Sequence, residues 1–145
     1  MAVSEQLAVS SVVIEPTAVT NGAAAVTGVL DTNGAHYAEF EIVIGQESAT
    51  NAEGCTLALT ESSDATNYST FDANFARSAE QSTAAGGKVV RYMVDCRKRS
   101  RYLKISVTPG TETGDDYTIA CVGRLSRRLF DASASTDWAD VCVIG

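Results

Sequence analysis

Residues 88–108 read KVVRYMVDCRKRSRYLKISVT, in which two runs of alternating apolar residues flank a strongly basic turn. Apolar side chains recur at every second position from Val90 to Val94 before the turn, and the same alternation resumes at Leu103 after it. This period of two is typical of β-strands that bury one face and expose the other. The stretch therefore predicts a β-hairpin that carries concentrated positive charge at residues 97–101, which we call the basic turn.

The same alternation continues outward along the chain in both directions. It predicts further strands over residues 37–44, 55–61 and 117–122. Strands are also predicted over residues 6–15, which are rich in Val and Ile, and over residues 24–31, which lie between two turn signals. Asn-Gly dipeptides at residues 21–22 and 33–34 mark turns between strands. The first strand is expected to end at Pro16, and the small, polar residues 77–87 are expected to form a loop.

The spacing of apolar residues indicates the fold class. No segment repeats them with the helical period of about 3.6 residues over three or more turns, so no sizeable helix is predicted. Short strands separated by Gly, Asn, Asp and Pro indicate a sandwich or a barrel. We therefore predict an all-β fold, an antiparallel, jelly-roll-like β-sandwich of about eight strands. The terminal segments, residues 1–5 and 126–145, are expected to extend away from it.

Length and composition set further expectations. The 145 residues fit a single domain with a hydrophobic core, and an apolar content of 45% with a mean hydropathy near zero is typical of a soluble protein. The apolar runs are too short for a transmembrane helix. The first residues lack a basic segment and carry Glu5 ahead of any apolar run, so we predict no secretory signal and expect synthesis in a cytoplasm.

The four cysteines, Cys55, Cys96, Cys121 and Cys142, lie far apart in the sequence and form no CxxC pair. Cys55 and Cys121 fall in phase with the apolar residues of predicted strands. We expect reduced, buried thiols that pack as small apolar side chains. The spacing leaves a disulfide open as the alternative.

The net charge of −7 is unevenly distributed along the chain. Residues 1–87 hold eleven acidic side chains and one basic side chain, a net charge of −10, whereas residues 88–145 hold ten basic and seven acidic side chains, a net charge of +3. Such an asymmetry favours contacts between copies of the chain, or with a partner of mixed charge. The negative total disfavours nucleic-acid binding, because nucleic acids are polyanions.

Candidate catalytic and metal-binding groups are sparse. The single histidine, His36, has no cysteine, histidine or carboxylate at a spacing that would complete a metal site. The nucleophile-elbow, dinucleotide-binding and P-loop motifs are absent. Glu39 and Glu41 share one strand face, and Asp115 and Asp116 share a turn; both pairs are more typical of solvated polar residues than of catalytic carboxylates or a calcium site. We therefore predict no enzyme activity, no metal and no cofactor.

The basic residues fall into two groups, one in the basic turn and one after the last predicted strand. The candidate interface residues are Arg97, Lys98, Arg99, Arg101, Arg124, Arg127 and Arg128. Most of them are arginines, whose guanidinium groups make bidentate contacts with carboxylates, so we predict a protein interface. Solvated turn charge is the alternative, and the sequence leaves open whether the two groups lie at the same end of the sandwich.

Three segments of the chain each combine an apolar, strand-like run with a polar turn. Residues 29–45 read VLDTNGAHYAEFEIVIG, residues 57–71 read LALTESSDATNYSTF, and residues 99–125 read RSRYLKISVTPGTETGDDYTIACVGRL. Each resembles a segment of the small structural proteins of tailed bacteriophages, in particular the capsid decoration, or cement, proteins. The resemblance extends over residues 29–125, about two thirds of the chain.

The resemblance implies a non-enzymatic β-sandwich that binds the outside of an icosahedral shell and braces neighbouring capsid subunits. It implies the major capsid protein and copies of this chain as partners, with a trimer preferred to a dimer, and no contact with nucleic acid or membrane. The protein would then lie on the virion surface after synthesis in the cytoplasm of a bacterial host.

A glycan-binding β-sandwich module of a phage tail or fibre is the alternative function. Tyr92 and Tyr102 flank the basic turn, Tyr117 follows an acidic turn and Trp138 is the single tryptophan, so these rings are candidates for a sugar-binding groove. The aromatic content of 7% is low for such a surface, and packing between strands is the other interpretation of the same residues.

Overall fold

The structure, a computed structural model, describes residues 9–20, 22–46, 54–71, 77–80, 87–111, 116–126 and 143–144. These residues form two β-sheets and a short 3-10 helix, Cys96–Lys98. The strands are β1 (Val9–Val19), β2 (Val26–Asp31), β3 (Tyr37–Ile44), β4 (Cys55–Ser62), β5 (Ser69–Thr70), β6 (Arg77–Glu80), β7 (Lys88–Asp95), β8 (Tyr102–Thr108), β9 (Tyr117–Ser126) and β10 (Val143–Ile144). The described residues contain no helix that is long and apolar enough to cross a membrane.

The strand order is that of a jelly roll. One sheet has the order β1-β9-β3-β7 with antiparallel neighbours, and β10 adds to β7 in parallel. The other sheet has the order β2-β8-β4, and β5 and β6 both pair with β4 on the side away from β8. Because β5 pairs near the end of β4 and β6 near its start, the two act as one interrupted edge strand. Each sheet then has four antiparallel strands, which confirms the predicted jelly-roll-like sandwich.

The core lies between the sheets and consists of the alternating apolar positions seen in the sequence. Phe40 and Ile42 of β3 and Leu103, Ile105 and Val107 of β8 are fully buried. Burial of each such side chain stabilises the fold by about 1.5–3 kcal/mol relative to an exposed position. The polar residues between them face outward, so the alternation predicted the buried faces of β3 and β8 correctly.

The prediction that β7 and β8 form a β-hairpin is wrong, because the two strands do not pair with each other. β7 pairs with β3 in one sheet, whereas β8 pairs with β2 and β4 in the other. Residues 96–101 therefore cross between sheets, which in a sandwich lie roughly 10 Å apart. The alternation shows which face of each strand is buried, and that pattern is the same whether two strands pair edge to edge or pack face to face. The basic turn is consequently a connection between the two sheets at one end of the sandwich.

Two other strand predictions need correction. β1 continues through Pro16, where its end was expected. It lies at the edge of its sheet, and its register with β9 shifts between Ile14 and Thr17, so a residue without an N–H group is accommodated there. The loop expected at residues 77–87 begins as the edge strand β6, which is too short and too polar to show an apolar alternation.

Two glycines allow β1 to close over one edge of the sandwich. A Cβ atom on Gly28 of β2 would lie 2.2 Å from the carbonyl oxygen of Val13, and a Cβ atom on Gly123 of β9 would lie 2.6 Å from Val13 Cγ2. Both distances are far inside van der Waals contact, so neither position has room for a side chain. Val13 therefore packs in a notch that these two glycines create, with Leu30 beside it.

Cys55, Cys96 and Cys121 are buried and reduced, which confirms the expectation for these three residues. Cys142 lies outside the described residues. Burial raises the pKa of the Cys96 and Cys121 thiols to about 12, because an apolar environment disfavours the thiolate. Since the thiolate is the reactive form, both side chains act as apolar core residues.

Candidate functional site

The basic turn is anchored at its start by β7 and by the connection between β2 and β3. The Asp95 carboxylate accepts a hydrogen bond from the Arg97 N–H (3.1 Å) and caps the 3-10 helix. The Cys96 N–H donates to the carbonyl oxygen of His36 (2.8 Å), and the Arg99 N–H donates to the carbonyl oxygen of Cys96 (3.1 Å). The backbone at the start of the turn is therefore fixed by bonds that involve no basic side chain.

The far side of the basic turn is anchored by Thr32 and Glu61. The buried Thr32 donates to the carbonyl oxygen of Arg101 from both its N–H (2.9 Å) and its hydroxyl (2.7 Å). The Glu61 carboxylate, near the end of β4, accepts a hydrogen bond from the Ser100 N–H (2.7 Å). Both sheets thus hold the turn, which makes it a rigid feature of the surface.

Arg97 and Arg101 are about half exposed, and a carboxylate orients each of them. Arg101 donates from Nε (2.8 Å) and Nη2 (2.7 Å) to the two carboxylate oxygens of Asp31. Arg97 makes a matching bidentate pair with Asp95, in which Nε lies 2.8 Å from Oδ1. Bidentate pairs of this kind set the direction of the guanidinium plane as well as its position.

Arg99 serves the fold instead of the surface. Its side chain is only 20% exposed, and its guanidinium carbon lies 3.9 Å from the centre of the Phe71 ring. Arg99 Nη1 also lies 3.8 Å from Glu61 Oε1, and the Glu61 side chain is only 17% exposed. The stacking on Phe71 and the half-buried ion pair with Glu61 hold the basic turn against the sheet that contains β4.

Lys98 differs from its three basic neighbours. It is exposed, and among the described residues it makes no ion pair and no side-chain hydrogen bond. Arg97, Arg99 and Arg101 each have a carboxylate partner within this chain. The positive charge of the basic turn is therefore largely compensated, and Lys98 is its one unpaired cation in the described part of the structure.

A shallow cavity of about 430 Å³ lies between the basic turn and the connection from β2 to β3, and we call it the basic groove. It is lined by residues 32–36 together with Cys96, Arg97, Arg99 and Arg101. Asn33 and Gly34 adopt positive φ angles of 30° and 80°, which bend the connection sharply along one wall. The groove thus brings half-exposed guanidinium groups beside a tight turn.

Arg124 lies on the outer face of β9, away from the groove. Its guanidinium nitrogens lie 4.0 Å from Glu39 and 3.9 Å from Glu41, and Arg91 Nη2 lies 3.0 Å from Glu41. These two arginines and two glutamates occupy neighbouring positions across β9, β3 and β7. The strand face predicted to be solvated is therefore a network of ion pairs whose charges cancel.

The structure shows where β9, the strand that precedes Arg127 and Arg128, ends. The His36 N–H donates to the carbonyl oxygen of Ser126, the last residue of β9 (3.2 Å), and the His36 carbonyl oxygen accepts from Cys96. β9 therefore ends beside the basic turn. Arg127 and Arg128 follow Ser126 in the sequence but lie outside the described residues.

Sequence reasoning missed the carboxylates that hold the basic turn. Asp31, Glu61 and Asp95 come from three different strands, and two of them are distant from the turn along the chain. The spacing of Asp95 two positions before Arg97 is a local signal that could have been recognised as a cap. The pairing of Asp31 with Arg101 depends on β2 and β8 being neighbours, which no local pattern shows.

The rings considered for a sugar-binding groove do not form one surface. Tyr92 and Tyr117 are core residues, 5% exposed. Tyr102 is partly exposed and lies under the guanidinium group of Arg101, and Trp138 lies outside the described residues. Two of the candidate rings thus pack between strands, the other interpretation of these residues.

The ion pairs of Asp31 and Asp95 with the arginines should stabilise the folded protein less as the pH becomes acidic. Hydrogen bonds from Arg97 lower the pKa of Asp95 to about 2, and those from Arg101 lower the pKa of Asp31. Both carboxyls titrate near pH 3.9 in an unfolded chain, so their contribution is present above about pH 4 and is lost as pH falls towards 2. We expect the difference in melting temperature between wild type and an Asp31→Asn, Asp95→Asn variant to shrink over that window. A difference that stays constant from pH 6 to about pH 2 would contradict the pairing.

The side chains around the basic groove determine which ligands it could hold. The described residues contain no group of three or more His, Cys, Asp or Glu side chains that could hold a metal ion. The basic groove is lined by the guanidinium groups of Arg97, Arg99 and Arg101 together with the polar side chains of Asn33 and His36, and guanidinium groups suit the recognition of carboxylates. Comparison with known proteins finds no matching family model, no matching curated protein and no matching solved structure.

Proposed function

We propose that this chain is a non-enzymatic structural protein of a virion, a cement or decoration protein that binds the outer surface of a capsid and bridges neighbouring capsid subunits. The resemblance of residues 29–125 to such proteins supports the proposal, and the jelly-roll sandwich agrees with it. The observation that carries it is the basic turn, which is anchored to both sheets and presents oriented guanidinium groups. A rigid surface of oriented guanidinium groups, with the unpaired Lys98 among the described residues beside them, suits docking to carboxylates on a large assembly.

The proposed capsid-contacting residues are Arg97, Lys98 and Arg101. Arg99 holds the basic turn in position through its contacts with Phe71 and Glu61. The partners in this proposal are the major capsid protein and further copies of this chain, at the virion surface. Each contact would be weak, and repetition of the contact over a symmetric shell would supply the avidity.

The proposal is tested with capsids assembled with and without this chain. The chain should sediment with the capsids, and capsids that lack it should disassemble at a lower temperature. Lys98→Glu should weaken the association, whereas Thr27→Glu, which adds a charge to an exposed position of β2, should not. Failure of the wild-type chain to sediment with capsids, together with unchanged capsid stability, would exclude the proposed role.

A further inference from the structure

The outer face of the β1-β9-β3-β7 sheet carries a continuous stripe of apolar side chains. Each of the four strands contributes outward-facing residues to it, which are, in order across the sheet, Val12, Val122, Ala120, Val43 and Val89. Val12 pairs with Val122, and Val43 pairs with both Ala120 and Val89. Neighbouring side chains in this set, which we call the apolar stripe, therefore lie roughly 5–7 Å apart.

The apolar stripe is unusual because of its exposure. Val12 is 63% exposed, Val89 is 52% exposed and Val43 is 39% exposed, and these are three of the four large apolar side chains that the described residues expose. The fourth, Val29, lies on the outer face of the other sheet, opposite Lys104. A single exposed valine is ordinary on a protein surface, whereas a contiguous exposed stripe is typical of an interface.

The charged side chains around the apolar stripe nearly cancel one another. The network of two arginines and two glutamates that includes Arg124 lies beside the stripe and has no net charge. At the margins of the face, Asp95 is paired with Arg97, and Glu15 in the bulge of β1 adds one carboxylate. The net charge of the face is therefore −1, against −7 for the whole chain. Two copies of this acidic chain can approach each other through this face with little repulsion.

One carboxylate beside the apolar stripe is already shielded from water. The Oε2 atom of Glu41 is inaccessible to solvent and accepts no hydrogen bond from the described residues, with Arg91 Nη2 at 3.0 Å and Arg124 Nη2 at 3.9 Å. Loss of hydration is the main energetic cost of covering charged groups. Because part of this hydration is already lost in the single chain, covering the network costs less than covering fully solvated charges.

We propose that the apolar stripe docks against the same stripe of a second copy of this chain, so that two sandwiches pack face to face. The two sheets within a sandwich stack in the same manner, about 10 Å apart. A face that is balanced in charge and continuous in apolar surface is complementary to itself, and a contact of this kind has two-fold symmetry. The assembly is then a dimer, in place of the trimer that the resemblance implies.

The size of the face determines how strong the dimer should be. Four strands about 4.8 Å apart and eight residues long, at about 3.3 Å per residue, present an area of roughly 500 Å². Two copies would therefore bury roughly 1,000 Å² in total, which is the lower limit for a specific interface. We expect a reversible dimer with a Kd of about 1–10 µM instead of a permanent one.

Isosteric substitutions test the dimer. The double variant Val43→Thr, Val89→Thr removes apolar surface from the part of the stripe on β3 and β7 and keeps the β-branched shape that strands favour. The matched control is Val29→Thr, the same change at the exposed valine of the other sheet. Association is measured by sedimentation velocity without capsids, over a range of protein concentrations at low and at high salt. Thermal melting verifies that each variant is folded.

We expect the wild type to be mostly dimeric above about 10 µM and to remain dimeric at high salt, because salt does not screen an apolar contact. The double variant should associate at least about tenfold more weakly, since each substitution occurs twice in a two-fold contact. Val29→Thr should dimerise as the wild type does.

Three results would each overturn the dimer: a wild type that stays monomeric at about 100 µM, a dimer that dissociates as salt is added, or an equal effect of Val29→Thr. If the wild type is monomeric and the double variant no longer sediments with capsids, the apolar stripe contacts the capsid protein instead of a second copy. The proposed capsid role would stand in that case, so its failure and the failure of the dimer are distinguishable.

Discussion

Gly28→Val is expected to destabilise the protein by about 3 kcal/mol or more, because the added side chain has no space. Even the first carbon of that side chain would lie 2.2 Å from the carbonyl oxygen and 2.6 Å from Cγ1 of Val13. A backbone oxygen in an edge strand cannot turn aside as a side chain can, so β1 would have to leave its position. Urea unfolding measures the loss directly, and for 145 residues it corresponds to a melting temperature lower by roughly 6–12 °C.

Two comparisons make the Gly28 result specific. Thr27→Val changes the neighbouring exposed position of the same strand and should leave stability nearly unchanged. Removing the Val13 side chain should not restore the stability lost in a Gly28→Ala variant, because the Val13 carbonyl oxygen, which the added Cβ atom would approach, stays in place. It should partly rescue Gly123→Ala, where the nearest atom belongs to the Val13 side chain. A stable Gly28→Val protein would mean that β1 does not close over β2 in this way.

Arg99→Glu is expected to cost about 2–4 kcal/mol, whereas the same charge change one position earlier, Lys98→Glu, should cost almost nothing. Arg99 stacks on Phe71 at 3.9 Å and pairs with the half-buried Glu61, so the variant would place two carboxylates together in a poorly solvated position. Lys98 is exposed and makes no contact of this kind in the described residues. Thermal melting of the two variants side by side provides the comparison.

The comparison of Arg99→Glu with Lys98→Glu distinguishes basic residues that stabilise the fold from basic residues that are only solvated surface charge. Reversal of every arginine in the basic turn would look, from the sequence, like a harmless change of surface charge. In the structure, Arg99 holds the turn against the second sheet, and Arg101 bridges to Asp31 of β2. Equal melting temperatures for Arg99→Glu and Lys98→Glu would show that the basic turn is solvated charge throughout.

Much of the fold is predictable because its signals are local. The alternation of Phe40, Ile42 and Ile44 reports directly which face of β3 is buried, and the observed strand has the predicted bounds, Tyr37–Ile44. β6 was missed because a short, polar edge strand buries no alternating face. The prediction that β1 ends at Pro16 was wrong because an edge strand tolerates proline where no neighbouring strand needs its N–H group. Which strands are neighbours cannot be recognised from the local sequence.

The candidate site was predictable only in part. The sequence identified Arg97, Lys98, Arg99 and Arg101 as one basic group, and the structure keeps them together. It could not divide them into a structural arginine, two oriented arginines and a lysine without an ion pair in the described part of the chain, because the deciding partners, Asp31, Glu61 and Phe71, are distant in the sequence.

The sequence by itself determined the all-β class, the buried face of most strands and the end-to-end imbalance of charge in the chain. These follow from the period of two and from composition, which are properties of neighbouring residues. Only the tertiary structure decided that β7 and β8 belong to different sheets and that most of the charge of the basic turn is compensated. Strand pairing and ion pairing join residues far apart in the chain, so they are set by packing of the whole sandwich.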